Sequence, residues 1–151
     1  MRSARDERGS ISLYLLGLAV IAMTLVAGTV AVTSAHLSRM RLLDVADGAA
    51  LDASNGFDPT AYVEGVGDSV PLSTSAVRER ATAYLGAVER PRGVTAWRLG
   101  PRTGTPDGRT AVVGLTGEAE LPLVGGVLRE LGLSVTVSVA SAARADVVAA
   151  P

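Results

Sequence analysis

From Ser10 to Ala35 the chain carries no charged residue, and Ile11–Thr33 is a 23-residue, largely apolar run, ISLYLLGLAVIAMTLVAGTVAVT. A helix of that length spans about 35 Å, enough to cross a hydrocarbon core of about 30 Å. A helix also satisfies its own backbone hydrogen bonds, as lipid requires. The pattern changes at His36. Through HLSRMRLLDVADGAALDAS the apolar positions Leu37, Met40, Leu43, Ala46 or Ala50, and Ala53 recur at three- and four-residue steps. Arg41, Asp44 and Asp52 lie near a polar stripe. No proline interrupts, so one continuous helix is predicted from Ile11 to Ser54, half in lipid and half projecting. Asn55-Gly56 is its natural stop.

Further along, Asp58-Pro59 is a helix-start signal and a short turn through Ala61–Glu64 is predicted, followed by a loop, Gly65–Pro71. A second helix is expected over Ala76–Glu89, capped by Ser75. Val77, Ala81, Tyr84, Leu85 and Val88 form its apolar stripe, and Pro91 ends it. Three alternating segments then predict strands. Val94–Leu99 places Thr95, Trp97 and Leu99 on one face. Thr110–Leu121 sets Ala111, Val113, Leu115, Ala119 and Leu121 against Thr110, Thr116, Glu118 and Glu120. Leu133–Asp146 sets Leu133, Val135, Val137 and Val139 against Ser134, Thr136 and Ser138. Thr105-Pro106-Asp107-Gly108 is a turn between the first two.

The expected class is α+β: a long N-terminal transmembrane helix continuing into an exported domain of one helix packed on a three-stranded antiparallel sheet. Four parts follow: a basic cytoplasmic stub or leader (1–9), the transmembrane helix (10–35), an amphipathic extension (36–54) and the exported domain (55–151). Arg2, Arg5 and Arg8 before the span outnumber Arg39 and Arg41 after it, which favours a cytoplasmic N-terminus and an extracytoplasmic C-terminal domain. Cleavage after Ala35 as a signal peptide is disfavoured, because the apolar stretch exceeds the usual h-region of about 7–15 residues.

The connection Pro122–Gly132 is unusually apolar. Val124, Val127, Leu128 and Leu131 can share a helical face opposite Arg129 and Glu130. Either it caps one end of the core, or it contacts the membrane surface or a partner subunit.

Composition narrows the chemistry. Hydrophobic residues make up 48%, charged residues 19%, and mean hydropathy is +0.33, as a membrane segment requires. The net charge of −1, with one Trp, three Tyr and one Phe, gives neither the basic excess nor the stacking surface that nucleic acid needs. Without Cys and with one His, thiolate chemistry and multi-His zinc sites are excluded. No cofactor and no small-molecule substrate are expected. His36 has Ser34, Ser38 and Asp44 nearby, but one helix cannot converge them as a triad, and no Gly-x-Ser-x-Gly elbow exists. Asp44, Asp47, Asp52 and Asp58 lack the calcium-loop pattern. Gly65-x-Gly67 and Gly125-Gly126 lack the context of a phosphate loop, and there is no Lys. Glu118 and Glu120 describe a wet sheet face, with Arg98, Arg109 and Arg144 as candidate partners.

The Arg-Gly-Ser before the span and RMRLLDVADGAALDAS after it resemble the amino-terminal region of TadE/TadG-like proteins, components of tight-adherence (Flp-type) pilus assembly systems. Arg41, Leu42, Ala46, Asp47, Gly48, Ala49, Ala50 and Leu51 occupy the family's Ala-rich continuation, and the resemblance covers residues 7–54. It implies a structural, non-enzymatic role as a membrane-anchored, pilin-like accessory component, with the membrane and other pilin-like or assembly subunits as partners. It also implies a candidate leader-cleavage bond, Gly9–Ser10. Such pilins usually carry Glu at the fifth mature position. Here that position is Tyr14, which fits an anchored accessory component better than a major pilin. The alternative is a single-pass, membrane-tethered binding module for a cell-envelope ligand.

Overall fold

The computed structural model describes residues 8–55 and 72–144. Its elements are α1 (Arg8–Ser54), α2 (Thr74–Ala87), β1 (Val94–Leu99), β2 (Thr110–Ala119), α3 (Gly125–Glu130) and β3 (Val135–Arg144). The expected signals at Asp58-Pro59, Ala61–Glu64, Gly65–Pro71 and Asp146 lie outside the described residues.

α1 is a single unbroken helix of 47 residues, about 70 Å long. Within the apolar run, Thr24 and Thr29 return their hydroxyl protons to the carbonyls of Val20 (2.8 Å) and Leu25 (2.9 Å). Their polar atoms are thus satisfied inside the helix, as an apolar surrounding demands. Residues 11–26 are exposed throughout. From Ser38 onward one face is buried: Ser38, Leu42, Val45, Ala46, Ala49, Ala50 and Ala53. Ala46, Ala50 and Ala53 of the expected stripe are on this face and Leu43 packs beside it, but the stripe's first two positions are not. Leu37 and Met40 are 44% and 52% exposed. The buried face combines Leu42 and Val45 with four alanines, whose small side chains let backbones approach closely.

The sheet order is β1-β2-β3, antiparallel throughout. β2 is central, and Ala111, Val113, Leu115 and Ala119, with Leu121 just beyond it, are buried as its alternation predicts. β3 turns Val135, Val137 and Val139 inward, Val139 being the most deeply buried. β2 and β3 pack chiefly on α1, and α2 packs on α1 beside them. One core therefore serves all three layers: Leu42, Val45 and Ala46 from α1, Val77 and Ala81 from α2, and Val94, Val113, Leu115 and Val139 from the sheet.

Two local expectations are corrected. In β1 the register passes from Val94↔Ala119 to Ala96↔Glu118, so two β1 residues oppose one step of β2. The extra residue is Thr95. This bulge reverses the alternation, so that Val94 joins Trp97 and Leu99 on the core side while Thr95 is exposed. The cap of α2 is Ser73, not Ser75: the Ala76 amide donates to Ser73 Oγ at 3.1 Å. The helix accordingly starts and ends earlier than predicted.

The turn before β2 is closed by Asp107. One carboxylate oxygen accepts from the amides of Arg109 (2.9 Å) and Thr110 (2.7 Å), the other from Thr110 Oγ1 (2.8 Å). The backbone donation from Arg109, followed by the two from Thr110, holds the carboxyl at about 2, below the ordinary 3.8.

Candidate functional site

The residues of the Ala-rich motif divide by burial. Leu42, Ala46, Ala49 and Ala50 are wholly buried in the shared core. Asp47 is half-buried, while Leu51 is 57% exposed. Gly48 faces Tyr84, whose hydroxyl a β-carbon there would strike. Arg41 is exposed but tied, with Nη1 donating to the Arg92 carbonyl at 2.8 Å. The motif is therefore mostly the inner face of a helix that builds the α+β domain.

One determinant was absent from the sequence reading. Ser38 is buried, and its hydroxyl lies 2.7 Å from the Gly93 carbonyl and 2.9 Å from that of Ser34. Gly93 has φ +81, and a β-carbon there would lie 2.9 Å from Ser38 Oγ. Successive contacts run backward along α1: Tyr84 to Gly48, Arg92 to Arg41, Gly93 to Ser38. A serine in the middle of an uninterrupted helical pattern gives no signal of a partner 55 residues away.

In the apolar connection, no residue of α3 is fully buried. Val124 and Leu128 are half-buried. Val127 and Leu131 are 60% and 67% exposed, and they stand with Leu123 (74%) and Leu133 (55%) as large apolar side chains open to the surroundings. Beneath α3 is a shallow recess of about 110 Å³, lined in part by Thr95, Glu118, Glu120, Leu128 and Arg129. It is far smaller than the roughly 300–1,000 Å³ usual for small-molecule sites.

His36 is exposed, and the nearby Ser38 hydroxyl is committed to backbone carbonyls, so these residues do not assemble a triad. No group of three His, Asp or Glu suited to a metal ion occurs among the described residues. Glu118 stands in register with Ala96 and Thr136, not opposite an arginine. Gly9 and Ser10 both lie within the first turns of α1.

Neither a search of curated proteins nor a search of solved structures gives a match. A comparison with protein families does: residues 9–56 match the model of the family described as Flp pilus-assembly TadE/G-like. Those residues are α1 almost in full, apolar span and buried extension together, and over them the chain is similar to the TadE/G-like family of Flp pilus assembly.

Proposed function

We propose that the chain is a membrane-anchored, pilin-like accessory component of tight-adherence pilus assembly or a related secretion apparatus, acting by structure and interaction. The observation that carries this reading is the coincidence of the family match with α1. That helix is long and apolar enough to cross a membrane, and its second half is the spine of the folded domain. The Arg bias supports a cytoplasmic N-terminus and an α+β domain outside. Residues 1–9 act as stub or leader, 10–35 as span, 36–54 as extension and 55–151 as exported domain. Tyr14 in place of an acid supports an anchor over a filament subunit.

Deleting the chain in its host should abolish surface pili, and the full chain should restore them. Crosslinking in membranes should capture pilus-assembly subunits. Normal piliation without the chain would overturn the reading. The intact mass of the membrane-bound protein decides the leader question: a start at Ser10 means processing at Gly9, and a start at residue 1 or 2 means a retained stub.

A further inference from the structure

We propose that the connection between β2 and β3, residues 121–134, is a second membrane contact, seated in the headgroup layer beside the exit of α1. The proposal rests on the reading of α1 as a membrane span.

Register fixes where this connection lies. Ser38 holds Gly93 and Arg41 holds Arg92, which ties the start of β1 to α1 just past the apolar run. The Glu120 amide donates to the Gly93 carbonyl at 2.8 Å, and Ala119 pairs with both Val94 and Val135. β2 therefore ends, and β3 begins, at the end of the sheet nearest the span. Leu42, three residues further along α1 than Arg39, stands where a β-carbon at Gly117 would meet it. Leu121 directly follows Glu120, whose amide is held by the same Gly93 carbonyl that Ser38 reaches, so the connection leaves the sheet at the level of Ser38. The face of α1 that carries Ser38 and Leu42 is already half-buried at Ala27, Val30, Ala31, Ser34 and Ala35.

The chemistry of the connection suits lipid. Leu123, Val127, Leu131 and Leu133 are all more than half exposed, and no part of the described chain covers them. Leu123, the most exposed, is also the one non-glycine residue with positive φ among those described. An L-residue with that conformation is held there at a cost in strain. Arg129 and Glu130 cancel in charge, and Arg129 Nε donates to the Gly125 carbonyl at 3.3 Å. Backbone amides are paired within the segment: Gly125 to Leu121, Leu128 to Val124, Leu131 to Val127, Gly132 to Arg129 and Leu133 to Leu128. These bonds pair five amides of the connection, which lowers the cost of entering a poorly hydrating layer. An apolar helix face of this kind lies about 5–10 Å into the headgroup and acyl boundary. Continuity with the span selects lipid over a protein partner, because the patch leaves the domain where the membrane already is.

The absence of native cysteine makes the test direct. Single cysteines at Val20→Cys, Leu131→Cys and Asn55→Cys carry an environment-sensitive fluorophore in the full chain, reconstituted in phosphatidylcholine vesicles. Doxyl-labelled lipids quench from shallow or deep acyl positions. The Leu131 label should shift to the blue and be quenched most by the shallow doxyl, the Val20 label by the deep one, and the Asn55 label by neither. Quenching at Val20 with a water-exposed, unquenched Leu131 label would overturn the second contact and leave the anchor standing. A blue-shifted Leu131 label that no lipid quenches would overturn it too, by showing cover from another copy of the chain. Loss of quenching at Val20 would remove the anchor, and the second contact with it.

Discussion

Ser38 and Gly93 meet at 2.7 Å across 55 residues of chain, hydroxyl to carbonyl, where α1 leaves its apolar run and β1 begins. The Gly93 carbonyl also accepts from the Glu120 amide, so one oxygen joins the helix to two strands. The left-handed φ of Gly93 makes this approach possible, and a side chain there would meet Ser38 directly.

Gly93→Ala should therefore destabilise the domain more than Ser38→Ala does. The first costs about 1–2 kcal/mol for the left-handed backbone alone. The second removes one hydrogen bond worth about 1 kcal/mol. Denaturant unfolding of the detergent-solubilised chain, followed by Trp97 fluorescence, ranks the two. The reverse order would refute the close approach.

Two leucines of the same motif should behave oppositely. Leu42 is wholly buried, so Leu42→Ala should cost about 2–5 kcal/mol through lost contacts and a residual cavity. Leu51 is 57% exposed, and Leu51→Ala should stay within about 0.5 kcal/mol. Equal effects in the same denaturation assay would contradict the phase of the buried face.

The alanine face should resist enlargement. Ala49 is wholly buried, and Ala49→Leu should cost about 1–3 kcal/mol by overpacking. Leucine is nearly as good a helix former as alanine, so the loss would come from the helix–sheet interface. An unchanged melting temperature would mean that the interface is looser than described.

Asp107 sets an acid limb. Its pKa is lowered in the fold, from 3.8 to about 2, so its stabilising contribution is fully present above the unfolded value. That contribution falls away as pH drops through about 2. The carboxyl carbon should titrate by NMR near the lowered value, with the Thr110 amide shift following it. Asp107→Asn should flatten that amide response. Titration at the ordinary value would show that the turn hydrogen bonds do not hold in solution.

The β2 alternation and the unbroken α1 were legible because each repeats one rule over many residues. The bulge at Thr95 was not, since a single inserted residue reverses parity without any local mark. In α1, Ala46, Ala50 and Ala53 of the expected stripe are buried while Leu37 and Met40 are exposed, because periodicity marks apolar positions without saying how far along the helix the domain covers them. Ser73 and Ser75 are equally good caps in sequence, and the start of the helix is set by the domain around it. At α3 the sequence showed the apolar residues but left open whether they faced the core. In the fold they divide, Val124 and Leu128 half-buried and Val127 and Leu131 exposed.

A single helix carries both the apolar run and the spine of the folded domain, with no joint between them. From His36 to Ser54 it runs 19 residues, a rigid arm of about 28 Å. If the apolar run spans a bilayer, a tilt of about 20° swings the arm's tip sideways by about 10 Å. Rotation is coupled as tightly. Inserting one residue at Gly28 would turn everything beyond it by about 100° and raise it by about 1.5 Å. The direction in which the folded domain faces is thus counted out, residue by residue, inside the apolar run.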